Sequence, residues 1–196
     1  MQTSPDIAAA LTRRAALAGV AVMAATTVHH AIGAVVYGTP WRLHIAFLSI
    51  PTAAVILGAL ALHRRRAGAP SGRAAFVVLA AVLALVPIAW IGAYEGAYNH
   101  VLKNALYFLA PGSPVLARMF PPPMYEVPDN ALFEITGVLQ VVPAWIAAAA
   151  LARRACGGRT ARPGKTARPG EAARPGEAAR PGAIEPPGAY RMGSMR

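Results

Sequence analysis

Four long apolar stretches, separated by polar connections, dominate the pattern of the chain. They cover residues 15–37, 43–62, 74–94 and 131–151. Each is about 20 residues long, the length that a helix needs to cross about 30 Å of hydrocarbon. Lipid offers a bare backbone no hydrogen-bond partner, and the alternating pattern typical of a membrane barrel is absent. The pattern therefore predicts an all-α integral membrane protein with four transmembrane helices.

Arginine clusters lie at one end of every predicted span and indicate an orientation. They comprise Arg13, Arg14, Arg64, Arg65, Arg66, Arg73, Arg153, Arg154 and Arg159. The other two connections carry only Arg42, Lys103 and Arg118 as basic residues. Because basic residues concentrate in cytoplasmic loops, both termini and the loop 63–73 are predicted to be cytoplasmic. The localisation expected is a multi-pass protein of the cell membrane, with the connection 95–130 outside the cytoplasm.

Composition supports the membrane class and argues against a nucleic-acid partner. Hydrophobic residues make up 56% of the chain and charged residues 14%, against about 25% charged in soluble domains. The net charge of +11 falls mostly in the tail and beside the spans, without the interleaved aromatic residues of a base-stacking platform. The partner expected is the lipid bilayer, with weak attraction to anionic headgroups. Cys156 is the single cysteine, so the chain forms no internal disulfide.

Three segments divide the chain. Residues 1–14 form a cytoplasmic N-terminal segment, 15–152 the four-helix transmembrane domain, and 153–196 a tail. The tail repeats Ala-Arg-Pro-Gly every six residues, at 161–164, 167–170, 173–176 and 179–182. Proline and glycine in every copy oppose a regular helix, and few apolar residues are available for burial. The tail is predicted to be disordered.

An alternative reading concerns residues 1–34. Arg13 and Arg14 before an apolar run resemble a twin-arginine export signal, and residues 31–34 resemble a small-residue cleavage site. Cleavage there would leave three spans in the same orientation. The apolar run exceeds the 7–15 residues usual for a signal, which favours a retained helix.

The connection 95–130 is long enough to contain structure of its own. Residues 99–110 predict a helix at the membrane interface, with an apolar side and with Lys103 and Asn104 on another side. Residues 121–123 are three prolines, which favour an extended return to the fourth span. A loop of this length in a compact unit is usually functional or mobile.

Ionisable residues near the outer ends of the spans are the best functional lead, because such groups are costly in lipid and usually face a bundle interior. His30 is expected to face inward from the first span, with Thr26 on the same face. Glu95 and Asn99 share a helical face, with Tyr98 beside them. The remaining candidates are His44 at the start of the second span, His100, and Glu134 one turn inside the fourth.

Each candidate also has an ordinary structural interpretation. A histidine in a bundle can simply hydrogen-bond a neighbouring helix, and His44 can lie among headgroups beside Trp41 and Arg42. The cluster at Glu95 resembles a solvated helix end. Asp129 or Asn130 is a credible N-cap of the fourth helix.

One hypothesis is a metal site facing away from the cytoplasm. Imidazole and carboxylate together suit zinc, copper or iron in metal handling or redox work. The candidate ligands are His30, His44, His100, Glu95 and Glu134. Neither H-E-x-x-H, C-x-x-C nor a glutamate-x-x-histidine pair accompanies them.

Two further hypotheses remain open beside the metal site. One is a metal-independent membrane enzyme that performs acid–base chemistry on a lipid-like substrate, with Glu134, Glu95, Tyr98 and Asn99 as catalytic candidates. The other is a small transporter or a non-enzymatic assembly subunit that binds a membrane protein partner. The sequence leaves the choice and the oligomeric state open.

Overall fold

The computed structural model describes residues 4–122 and 125–159. Within this part of the chain, 86% of the residues are helical and no strand occurs. Four helices are long and apolar enough to cross a membrane, which confirms the all-helical class and the four candidate spans. The repeats predicted to be disordered lie outside the described residues.

The four long helices are named first to fourth in chain order. The first is Pro5–Val36; the second is Ile45–Arg65, preceded by a short 3-10 turn at Pro40–His44; the third is Pro70–Leu109; the fourth comprises Ala131–Leu139 and Val141–Arg159. A short helix, Pro114–Met119, lies in the long connection. The first and fourth helices are longer than the apolar stretches from which they were predicted, because helical structure continues into the polar flanks.

Local sequence accounts for the helix ends. The side chain of Ser4 accepts a hydrogen bond from the Ile7 amide, and Pro5 occupies the first helical turn, where its missing N–H costs nothing. The side chain of Asn130 caps the fourth helix by accepting from the Phe133 amide at 3.0 Å. Gly38, with a φ of 61°, provides the left-handed residue that turns the chain into the second helix.

Small residues allow the helices to pack closely in the middle of the bundle. The first helix contacts each of the other three, and a β-carbon at Gly19 would overlap the Leu83 side chain of the third. Close approach through small residues is the usual way in which helices pack in lipid. Val22 and Ile91 are fully buried in this region. Between the two ends of the bundle, the described residues 15–25, 46–62, 74–93 and 141–151 contain no ionisable side chain.

The third helix differs from the prediction. The interfacial helix expected at 99–110 is the direct continuation of the third helix, which ends at Leu109. Its stretch Ala84–Leu102 has the wide winding of a π-helix, in which residues five apart lie on one side. This winding turns His100 toward the bundle together with Glu95. Lys103, expected on a polar outer side, is instead only 4% exposed.

Candidate functional site

A cavity of about 330 Å³ opens at the end of the bundle opposite the arginine clusters. Eight residues with charged, imidazole or amide side chains line it: His29, His30, Arg42, Glu95, Asn99, His100, Lys103 and Glu126. Aromatic rings, including those of Trp41, Trp90, Tyr94 and Tyr125, form much of the remaining wall. We call this cavity the polar chamber. Its volume and its mixture of aromatic and polar groups are typical of small-molecule sites.

Glu95 joins three helices on one wall of the polar chamber. Its Oε1 atom lies 2.9 Å from His30 Nε2 on the first helix. The same oxygen accepts from the Thr26 hydroxyl and from the Gln140 amide, each at 3.4 Å. Gln140 lies where the fourth helix is interrupted. Because these donors come from the first and fourth helices, the carboxylate of Glu95 is held inward.

A second carboxylate, Glu134, lies between two basic side chains of the third helix. Its Oε2 is 2.8 Å from His100 Nδ1, and its Oε1 accepts from Lys103 Nζ at 3.1 Å. Lys103 also donates to the main-chain oxygen of Glu126 at 2.9 Å. All three ionisable side chains are almost fully buried. Gly137 leaves room for the His100 ring, because a β-carbon there would overlap it.

His29 lies between these two pairs, although the sequence favoured only His30 as the inward residue. Its ring centroid is 5.4 Å from that of His30 and 4.6 Å from that of His100. The chamber is bounded by the first, third and fourth helices, so neighbouring side chains that point about 100° apart both reach it. The sequence did contain a pattern that favours an inward His29, since Thr26 and Gly33 lie three residues before and four residues after it and share its buried face.

The hydrogen bonds indicate how His29 is protonated. The Thr136 hydroxyl donates to a main-chain carbonyl of its own helix and therefore accepts from His29 Nδ1, 3.1 Å away. The other ring nitrogen, Nε2, lies 3.8 Å from Glu95 Oε1. In neutral His29 this nitrogen carries a lone pair, so a proton added there would point toward the Glu95 carboxylate.

Charges in and around the polar chamber do not balance when the histidines are neutral. Arg42 pairs with Glu126, and Lys103 pairs with Glu134. Within the described part of the chain, Glu95 has no lysine or arginine within ion-pair distance, and its basic neighbours are His29 and His30. Two cations and three carboxylates leave one negative charge in excess, which a proton or a cationic ligand would neutralise.

Two tyrosines outside the helical spans lie near the mouth of the polar chamber. A hydrogen bond with Tyr94 across 3.4 Å, followed by burial, raises the pKa of Tyr125 to about 12. Burial, followed by a 3.1 Å hydrogen bond to Asp129, raises the pKa of Tyr37 to about 12. Both phenols therefore stay neutral near pH 7, and that of Tyr37 donates to Asp129.

The structure brings five of the predicted site residues together and separates two from them. His30, Glu95, Asn99 and His100 line the polar chamber, and Glu134 lies behind His100. His44 is exposed and its Nδ1 is 2.6 Å from a main-chain oxygen, although its ring centroid is 6.2 Å from that of His30. Tyr98 donates to the Met119 carbonyl at 3.2 Å and thereby braces the short helix.

The metal hypothesis gains no support from this geometry. Among residues 4–122 and 125–159, no group of three or more histidine, cysteine, aspartate or glutamate side chains could hold a metal ion. The expected ligands form two separate pairs, His30 with Glu95 and His100 with Glu134. Each pair already uses a ring nitrogen and a carboxylate oxygen that an ion would require.

Two buried polar atoms of the chamber lack a partner within the described part of the chain. They are the Nδ1 atom of His30 and the Oδ1 atom of Asn99. Buried polar groups in proteins are nearly always hydrogen-bonded, so unpaired ones require a specific explanation. A polar ligand or water in the chamber would supply the missing bonds.

No family model, curated protein or solved structure matches this chain.

Proposed function

We propose that this chain is a membrane enzyme whose polar chamber moves protons to and from a small lipid-like substrate. The observation that carries the proposal is the pairing of His30 with Glu95 beside a cavity, while the second ring nitrogen of His30 is buried and has no partner among residues 4–122 and 125–159. A histidine with one ring nitrogen held by a carboxylate and the other unpaired has the arrangement of a general base.

His30 is the base in this proposal. The carboxylate of Glu95 only accepts, so the proton of neutral His30 lies on Nε2, 2.9 Å from Glu95 Oε1. Nδ1 then carries a lone pair, and that atom has no partner among the described residues. When Nδ1 takes a proton from the substrate, the charge of Glu95 stabilises the imidazolium that forms. Glu95 thus orients the base and supports its charged form.

His30 also returns the proton in this proposal. After Nδ1 has taken a proton from one atom of the substrate, the same nitrogen delivers a proton to a second atom, and Glu95 stabilises the charged ring in between. The neighbouring His29 has its own ring proton bonded to Thr136, and its ring centroid lies 5.4 Å from that of His30.

The surroundings favour a substrate that arrives from the bilayer. Trp90 and Tyr94 line the chamber, and about half of each side chain is exposed on the surface of an apolar helix. Aromatic residues of this kind are common at the level of lipid headgroups. The free Oδ1 of Asn99 would accept a hydrogen bond from a hydroxyl or amine of the substrate.

A transporter is less well supported than an enzyme. A proton or ion pathway across a membrane normally contains ionisable residues along its length. Here they lie at the two ends, and the described middle of the bundle has none. The assembly-subunit hypothesis treats the same hydrogen bonds only as links between helices, and the experiment below separates it from catalysis.

The test is incorporation of solvent deuterium into lipid. Purified protein in lipid nanodiscs is incubated in D2O with a panel of glycerolipids, sterols and isoprenoids, and carbon-bound deuterium is measured by mass spectrometry. We expect one lipid class to be labelled by the wild type. His30→Gln and Glu95→Gln should reduce the labelling rate by about 10²-fold or more, the usual contribution of a general base.

His44→Gln is the matched control, because it removes a nearby imidazole that is already bonded to a main-chain oxygen. It should leave labelling nearly unchanged. No labelling by the wild type, or equal losses in all three variants, would reject the enzyme. Lower thermal stability of His30→Gln without any wild-type labelling would favour the assembly subunit. If a chelator abolished labelling by the wild type, the result would instead support the metal hypothesis.

A further inference from the structure

A second cavity, of about 420 Å³, lies between the first and second helices at the arginine-rich end of the bundle. Arg13 and Thr12 of the first helix face Arg64 and His63 of the second across it. Alanines and Leu60 form the rest of its wall. We call this cavity the basic groove. It is independent of the polar chamber at the opposite end.

The positive charge of the basic groove is not neutralised by the protein. Within the described part of the chain, every ion pair involves a residue of the opposite end, and neither Arg13 nor Arg64 takes part in one. Asp6 is the single acidic residue that precedes Arg13. Two guanidinium groups that share a groove without a carboxylate repel one another, so an anion between them is favoured.

The length of the first helix places the basic groove at a definite depth. A helix of 32 residues is about 48 Å long at 1.5 Å per residue. The hydrocarbon core is about 30 Å thick. Arg13 lies about 35 Å along the helix from Val36. With Val36 taken as the opposite edge of the hydrocarbon, Arg13 falls just beyond it, at the level expected for the phosphate groups of the lipids.

The wall of the basic groove is held in place by contacts of its own. His63 Nδ1 donates to the Gly72 carbonyl oxygen at 2.9 Å, and its ring packs 5.3 Å from that of Phe76. Because a carbonyl only accepts, Nδ1 carries a proton, and Nε2 is the ring nitrogen that remains for a ligand. The Thr12 hydroxyl is already bonded to the Ala8 carbonyl at 2.9 Å. The arginines are therefore the donors available to an anion.

We propose that the basic groove binds the headgroup phosphate of an anionic phospholipid, such as phosphatidylglycerol. Guanidinium groups bind phosphate oxygens through paired, charge-assisted hydrogen bonds. The apolar part of the wall, including Leu60 and Ala67, suits the glycerol and upper acyl region of a lipid better than a fully hydrated ion. Basic pockets between membrane helices are known binding places for anionic headgroups.

A second groove on the other side of the first helix provides the control. It is smaller, about 160 Å³, and contains Arg14 and Arg153. Replacing these two arginines removes the same charge from the same end of the bundle. If binding reflected only a general attraction to anionic lipid, both pairs of substitutions would weaken it equally. A specific site in the basic groove predicts a larger loss for Arg13 and Arg64.

The experiment is a lipid titration of the purified full chain in detergent, followed by native mass spectrometry. The wild type is expected to bind one phosphatidylglycerol at least about tenfold more tightly than phosphatidylcholine. The double variant Arg13→Gln with Arg64→Gln should bind phosphatidylglycerol about tenfold or more weakly than the wild type, because charge-assisted hydrogen bonds to the phosphate are lost. Arg14→Gln with Arg153→Gln should stay within about fivefold of the wild type, because the groove between them, about 160 Å³, leaves less room for a lipid headgroup.

Three results would overturn the proposal. They are equal affinity for the two lipids, equal losses in the two double variants, and displacement of phosphatidylglycerol by millimolar inorganic phosphate, which would make a free phosphate the ligand. Circular dichroism checks the fold of each variant. Should the double glutamine variant fail to fold, Arg13→Lys with Arg64→Lys keeps the charge but removes the paired hydrogen bonds. It should still weaken the binding measurably, and an unchanged affinity would refute the site.

Discussion

Replacing Lys103 by methionine tests whether the buried ion pair with Glu134 holds the third and fourth helices together. The two side chains are 4% and 6% exposed, and the Nζ–Oε1 distance is 3.1 Å. Lys103→Met keeps the length of the side chain and removes its charge, which leaves the Glu134 carboxylate without a lysine partner but still hydrogen-bonded to His100. Removing one partner of a buried pair costs about 3–5 kcal/mol in free energy of unfolding.

The assay is thermal unfolding in detergent, followed by helical circular dichroism. A protein of this size loses about 2–4 °C in Tm per kcal/mol, so the expected decrease is about 6–20 °C. Adding Glu134→Gln should recover part of this loss, because the unpaired charge is then removed. Asp129→Asn alters an exposed carboxylate at the same end and should cost less than about 1 kcal/mol.

The reasoning is refuted by either of two results. One is a Lys103→Met variant whose unfolding free energy lies within about 1 kcal/mol of the wild type, which is the range of an exposed pair. The other is a double variant whose loss equals the sum of the two single losses, because independent sites add and coupled sites do not.

Two further predictions concern packing and pH. Gly137→Ala should destabilise the protein by about 1–3 kcal/mol, because the new β-carbon overlaps the His100 ring. The β-carbon of Gly58→Ala meets open space, so this control should stabilise the second helix by up to about 1 kcal/mol. Thermal unfolding of both variants tests whether the two changes have opposite signs. Tyr37 has a folded-state pKa raised from 10.0 to about 12, so its contribution is complete below pH 10, declines as pH rises and is lost through pH 12. The stability difference between the wild type and Tyr37→Phe should therefore shrink over this window, and a difference that grows with pH would contradict the assignment.

The four helices could be predicted from the sequence because each apolar stretch has membrane length and carries its own signal. Glu95 and His100 could be nominated as inward residues for the same kind of reason, since ionisable groups in apolar helices need partners. Their partners could not be predicted. The contact between Glu95 and His30 joins residues 65 positions apart, and no local pattern specifies it.

An ordinary helix around Lys103 puts this residue on a different side from the apolar residues of 99–110. The π-helical winding of Ala84–Leu102 changes which residues share a side of the helix. The hydrophobic periodicity of the sequence does not predict this winding. The buried carboxylate of Glu134 then makes the inward position of Lys103 tolerable. For His44 the sequence allows two interpretations, a ligand or an interface residue; its Nδ1 lies 2.6 Å from a main-chain oxygen, a contact that no sequence pattern specifies.

The apolar middle of the bundle has an electrical consequence. The described spans hold no charged or histidine side chain between their two ends, so under the proposed function the bundle would offer protons no relay between the polar chamber and the basic groove. A proton taken up in the chamber would then return to the solution on the same side. Turnover in the chamber would therefore follow the pH of the solution it faces and would be insensitive to the pH on the opposite side. Because no charge crosses the bilayer in such a cycle, the membrane voltage would neither drive nor oppose it.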